Sequence, residues 1–246
     1  MTYKIAEKKR LAQRARASRQ RASLPEIVLL LIMLVVNSTP ILWGLVTSLK
    51  TRREILVYPP KFFNFTPSLE HYFNVFRNGL DIGMRNSLLY SACTIALGLV
   101  LGLLAAYGFE RYHFPFKKIL FYIVIAGIPL SIGSAAMLIP NYLYMMELGL
   151  TNKWYTLILL YTAYNLPMAI WIMKGGIEAI PLEIEDAALI DGCSRAYIIG
   201  RLIPRLILPS IASSALFLFI GAWNEFITAA VMIDSPELRS IQLVIY

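Results

Sequence analysis

The chain has 246 residues, 58% of them hydrophobic and 15% charged, with a mean hydropathy of +0.62. A soluble domain carries about a quarter charged residues, so this composition excludes an ordinary globular enzyme and indicates a membrane protein. The formal charge of +8 does not indicate nucleic acid either, because the basic residues flank apolar runs of lipid length.

Residues 1–24 hold eight Lys or Arg, from Lys4 to Arg21, spaced by Ala and Gln. They predict a basic tail that sets topology against an anionic membrane face. Residues 27–49 carry no charge. As a helix they reach about 34 Å, enough for a hydrocarbon core of about 30 Å. The run is too long for a signal peptide and lacks a small-x-small cleavage site, so a retained anchor is expected. Residues 50–85, with Pro59, Pro60 and Pro67, form a short polar and aromatic excursion. A second span is expected over 86–109. There Gly98, Gly102 and Ala106 recur every four residues and allow close helix approach in lipid.

A third uncharged run, 119–146, contains Pro129 and Pro140 and is longer than one straight span needs. It either kinks or bends along the surface after Pro140. A fourth span covers 154–173, with Asn165 and Pro167 inside, and a fifth covers 206–233, broken only by Glu225. With five spans, one side receives 15 Lys and Arg and the other 8. The positive-inside bias therefore places residues 1–26 and the 174–205 loop in the cytoplasm.

That loop carries the densest charge pattern. Pro181 suits a first helical turn, and Ile184, Ala187 and Ala188 give a narrow apolar face. Gly192 suits a left-handed helix stop. Ser194 suits the cap of a second short helix, which Pro204 is expected to interrupt. The loop is too short to span and lies between two segments that can.

Other chemistry is sparse. His71 and His113 lie outside the spans, and no Cys/His spacing suits a metal. Cys93 and Cys193 sit at different levels of the chain, one apolar and one in the loop, so no disulfide is expected. No phosphate-binding G-x-x-x-x-G-K-[ST] run is present. Glu225 is the one acid inside an apolar run. With Trp223 and Asn224 it either lines a polar path or sits hydrogen-bonded near the outer interface. Asn165 either lines a path or satisfies carbonyls freed by Pro167, and Asn37 and Thr39 stand in the same relation to Pro40.

The stretch Asp186-Ala187-Ala188-Leu189-Ile190-Asp191-Gly192-Cys193 resembles the cytoplasmic loop signature of membrane subunits of bacterial ABC importers. Asp186 stands where the family has glutamate, and Cys193 where it has another small residue. Pro204 falls one position ahead of the family's first loop proline, a place taken here by Arg205. Further matches are Asn86-Ser87-Leu88, Leu104-Ala105-Ala106-Tyr107, Leu148-Gly149-Leu150, Leu166-Pro167 with Trp171, Trp223-Asn224-Glu225-Phe226 and Pro236-Glu237-Leu238-Arg239. Together they resemble the carbohydrate-uptake branch, similar to the second permease subunit of the maltose importer, over roughly residues 30–246.

The resemblance implies an all-α membrane protein with the type I ABC importer transmembrane fold. Five spans of that family's six are visible, with a cytoplasmic N-terminus. It implies a non-catalytic subunit of the bacterial inner membrane that works with a second permease, two cytoplasmic ATPase subunits and an extracytoplasmic sugar-binding protein. ATP and Mg would be held by the ATPase. Glu185, Asp186, Ala187, Ala188, Asp191, Gly192, Cys193 and Arg195 would meet the ATPase, with the acids offering acceptors to it. Asn165, Trp223, Asn224 and Glu225 would be candidates for the path. An importer for a non-sugar solute remains open, as does an ion-coupled transporter. The latter would want more intramembrane ionisable groups and an internal repeat.

Overall fold

The structure is a computed structural model that describes residues 24–55, 57–58, 65–77, 79–132 and 134–245. The basic tail before Leu24 and the Pro59-Pro60 pair lie outside the described residues. Among the described residues every regular element is helical. Two compact units are present, residues 1–73 and 74–246.

In the first unit, α1 (Leu24–Ser48) is an unbroken 25-residue helix of about 38 Å whose apolar side chains are exposed, as lipid-facing residues are. Pro40 lies inside it. Asn37 Nδ2 donates to the Met33 carbonyl and the Thr39 hydroxyl to the Val35 carbonyl, each at 2.7 Å, so both polar groups are satisfied one turn back. The short α2 (Arg52–Ile55) follows, with Glu54 accepting from the Thr51 hydroxyl at 2.9 Å and from its amide at 3.3 Å. That bond holds the Glu54 carboxyl below its ordinary range. Lys50 is buried, its ammonium 4.6 Å from the Trp43 ring centre and 5.5 Å from that of Phe65. The helix α3 (Glu70–Arg77) follows, with its first four residues in this unit.

The second unit is built on three helices: α4 (Leu80–Arg111), α7 (Trp154–Glu178) and α10 (Leu208–Trp223) pack against one another. Small residues set the close approaches. A Cβ on Gly98 would strike the Leu218 side chain at 2.7 Å, and one on Gly102 would crowd Met173 and Ala169 at 3.2 and 3.4 Å. Lipid gives no hydrophobic drive between helices, so such backbone proximity supplies the packing energy. The outward face of α4 carries Leu88, Leu97, Val100, Leu101 and Leu104, all exposed.

Several expected boundaries differ. The third run is described as α5 (Lys117–Ile132) and α6 (Ser134–Glu147), with Pro129 inside the first and Pro140 inside the second. The fifth run is not one continuous span. After α10 the chain turns at residues 224–226 and enters the six-residue α11 (Ile227–Met232). Asn224 Nδ2 donates to the Ile220 carbonyl and closes the first helix, while Glu225 Oε1 accepts from the Thr228 amide and opens the second. Three described helices are long and apolar enough to cross a bilayer alone. A fourth crossing arises if α9 (Arg195–Leu206) and α10, bent by 85°, are joined. Pro204 does not interrupt α9. A π turn over Ile198–Leu202 lets Ile203 bond to the Ile198 carbonyl, so the missing proline N–H falls in a fresh first turn.

The segment after α11 is pinned to the start of α4, which joins two stretches far apart in sequence. Asn86 Nδ2 donates to the Glu237 and Arg239 carbonyls at 2.7 and 3.0 Å. Ser87 Oγ accepts from the Ile241 amide, and the Tyr90 hydroxyl donates to Leu238. The last described helix, α12 (Ile241–Ile245), lies on α4 where Gly83 leaves room for Val244. Gly149 at φ +66° closes α6, with the Leu150 amide reaching the Met145 carbonyl at 2.8 Å.

Candidate functional site

The polar loop folds as expected at its turn. The helix α8 (Leu182–Ile190) starts after Pro181 and ends in a Schellman arrangement. The Cys193 amide bonds to the Ala188 carbonyl at 2.9 Å and the Gly192 amide to Leu189 at 3.0 Å, with Gly192 at φ +84°. A side chain there adopts the left-handed form at a cost of about 1–2 kcal/mol. Gly192→Val is therefore expected to fray the end of α8, seen as amide exchange that speeds up over wild type at position 192 and at Cys193 but not at Ile198. Ser194 accepts from the Tyr197 amide and caps the next turn.

The face that α8 buries is one position out of register with the apolar stripe. Ile184 and Ala187 are exposed, while Glu185 is 2% exposed and Ala188 and Leu189 pack on the apolar cluster. Glu185 is thus not an acceptor offered to a partner. Its Oε1 accepts from Arg111 Nε at 2.6 Å and its Oε2 from the Tyr107 hydroxyl at 2.7 Å. Arg111 also donates through Nη2 to the carbonyls of Ile177 and Ile180 at 3.1 and 2.8 Å. A charge is kept in a dry site only when paired and hydrogen-bonded, and this carboxylate is both. Arg195 reaches the Tyr107 hydroxyl at 3.5 Å, and its own side chain is exposed. Asp186, Ala187, Asp191 and Gly192 are exposed on the outer side of the loop, and Cys193 is half-buried.

Away from the loop, Asn165 lies in the middle of α7 against Gly221 of α10, two residues before Trp223. Its Nδ2 donates to the Tyr161 carbonyl at 2.8 Å. Trp223 stacks on Phe219 with ring centres 5.3 Å apart, and its carbonyl accepts from the Gln242 amide group. Asn165 thus meets α10 at Gly221. Asn224 and Glu225 spend their side-chain hydrogen bonds on their own turn.

Residues 98–244 match the family described as binding-protein-dependent transport system inner membrane component. The chain belongs to this family. It is 32% identical, over 85% of its length and 73% of the relative's, to a sulfoquinovosyl glycerol transport system permease protein of Agrobacterium fabrum. It is 30% identical, over 89% and 72%, to a diacetylchitobiose uptake system permease protein of Streptomyces coelicolor. Its fold matches a crystal structure of a bacterial ABC transporter involved in the import of the acidic polysaccharide alginate. That match has a TM-score of 0.70 at 22% identity and covers 88% of this chain and 76% of the other. The protein is a multi-pass inner-membrane permease with the all-α importer fold.

Two residues of the permease's loop site escaped the sequence reading: Tyr107 and Arg111. Both stand on α4, one turn apart, and the signal was present as a Tyr-x-x-x-Arg spacing at the end of an apolar run. Nothing local tied that spacing to Glu185, 74 positions on.

Proposed function

We propose that this permease forms half of the translocation path of a sugar or oligosaccharide importer and is driven through α8 by a separate ATPase. The observation that carries the reading is the two-sided character of α8. One side is fixed to the bundle by Glu185, and the other presents Asp186, Ala187 and Asp191 to the surroundings. Small Ala187 lets a partner's surface come close to the backbone, and the two exposed acids suit basic groups at its rim. The sugar class is supported by the relatives, permeases for sulfoquinovosyl glycerol transport and for diacetylchitobiose uptake. Residues 1–26 act as a basic cytoplasmic tail and 27–246 as the permease domain, with the 174–205 loop in the cytoplasm. A second permease completes the path, two ATPase subunits hold ATP and Mg, and an extracytoplasmic binding protein delivers the solute. Asn165 and the Trp223 ring face the path, and Asn224 and Glu225 shape the turn that holds them.

Co-purification of the cytoplasmic ATPase with the assembled permeases tests the docking face. Ala187→Asp adds bulk and charge at its centre and is expected to lower ATPase recovery by about tenfold, the equivalent of about 1.4 kcal/mol. Unchanged recovery sinks the reading. Ile139→Asn, on the exposed face of α6, serves as the control that keeps the ATPase bound.

A further inference from the structure

The helix α8 is joined to α7 and α9 by short turns, yet its buried carboxylate is fastened to α4. Arg111 and Tyr107, the two donors to Glu185, stand 74 and 78 positions away in sequence. The same guanidinium holds the Ile177 and Ile180 carbonyls where α7 ends. One planar group therefore ties together the last turn of α4, the end of α7 and the docking helix. A guanidinium has a rigid fork of donors, so three acceptors in fixed places also fix its plane. Around it lie Tyr107, Ile177, Ile180 and Ile198, all buried, which keeps water out of the cluster. At Gly192 nothing lies within 4 Å of where a Cβ would stand, so the outer side of the turn after α8 is open, while Cys193 packs on the apolar cluster.

We propose that Arg111 and Glu185 are the positioning pair through which movement of α8 enters the membrane helix α4. The drive then passes across the chain rather than along it through the turns at 179–181 and 191–194. In a dry site the two charges cannot slide apart without large electrostatic loss, so α8 and α4 move as one body. This rests on the docking role of α8 proposed above. Asp186 and Ala187 meet the ATPase, and Glu185 hands their displacement to α4.

The test uses the assembled importer in lipid vesicles, with solute uptake and ATP hydrolysis measured on one preparation. The double variant Arg111→Met with Glu185→Met removes both charges for apolar chains of similar length and leaves no unpaired charge buried. It is expected to retain the ATPase at the wild-type ratio and to hydrolyse ATP within about twofold. Uptake per ATP is expected to fall by about tenfold. Arg111→Lys keeps the charge but not the fork and should fall between the two. Wild-type uptake per ATP in the double variant overturns the proposal. So does a proportional fall of uptake and hydrolysis. Loss of the ATPase also overturns it, because the pair would then only shape the docking face. If Ala187→Asp fails to release the ATPase, the docking role itself fails. If it does release the ATPase while the double variant stays coupled, only the route through α4 fails.

Discussion

Arg111→Met is expected to destabilise the loop end of the bundle by about 3–5 kcal/mol, the range for breaking a buried ion pair from one side. The reason is what stays behind. Glu185 would keep its carboxylate in a site only 2% exposed, with Tyr107 as its remaining donor among the described contacts. The Ile177 and Ile180 carbonyls would lose their guanidinium as well. Replacing both partners with methionine removes the stranded charge, so the double variant should recover most of the loss. The nearby Lys174 is the internal comparison. It bridges Glu110 at 2.7 Å and Glu178 at 3.1 Å, but the partners are 20% and 64% exposed. Pairs open to solvent contribute under about 1 kcal/mol, so Lys174→Met should be close to neutral. Thermal unfolding in detergent, with amide exchange along α8, ranks the three. An Arg111→Met protein no less stable than Lys174→Met would refute the account of the buried pair.

What the sequence made legible was local chemistry. Gly192 had to be a left-handed stop, and Ser194 a cap, because glycine and serine do those jobs from within one turn of chain. Asn86-Ser87 and Pro236–Arg239 stood out as separate matches, though only the fold shows that the first pair pins the second. The register of α8 was not legible. Apolar spacing pointed to Ile184, Ala187 and Ala188, while the buried set is Glu185, Ala188 and Leu189. Hydrophobic periodicity fails when a helix buries a charge, since the partner that makes burial tolerable lies on a distant helix. The break in the fifth run failed for a related reason. An unbroken apolar stretch cannot distinguish one long helix from two. The informative residues were Asn224 and Glu225, whose side chains can close one helix and open the next. The 85° bend ahead of α10 likewise depends on Ile207 leaving the helix just before Pro209, a tertiary choice more than a sequence rule.

Gly221→Ala is expected to destabilise the protein by about 1–3 kcal/mol, the usual range for overpacking a filled interior. A Cβ at this position would overlap the Asn165 side chain, meeting its Cγ at 2.6 Å and its Nδ2 at 2.9 Å. The asparagine side chain is short and cannot swing far while Nδ2 donates to the Tyr161 carbonyl. Either that bond breaks or α10 moves off α7, carrying with it the stacked Phe219 and Trp223, two residues to either side of Gly221. Asn165→Ala alone removes one hydrogen bond and should cost about 0.5–1.5 kcal/mol. Combined with Gly221→Ala it empties the space the new methyl needs, so the two losses should be clearly less than additive. Residues in contact show such non-additivity by about 0.5–3 kcal/mol. Additive losses in a double-mutant cycle of unfolding midpoints would mean that Asn165 and Gly221 do not touch. Uptake by the same variants then separates packing from path. If Asn165 serves only to fill the space beside Gly221, the double variant should transport as well as it is stable. If its amide also meets the solute, transport stays low in the double variant although stability has returned.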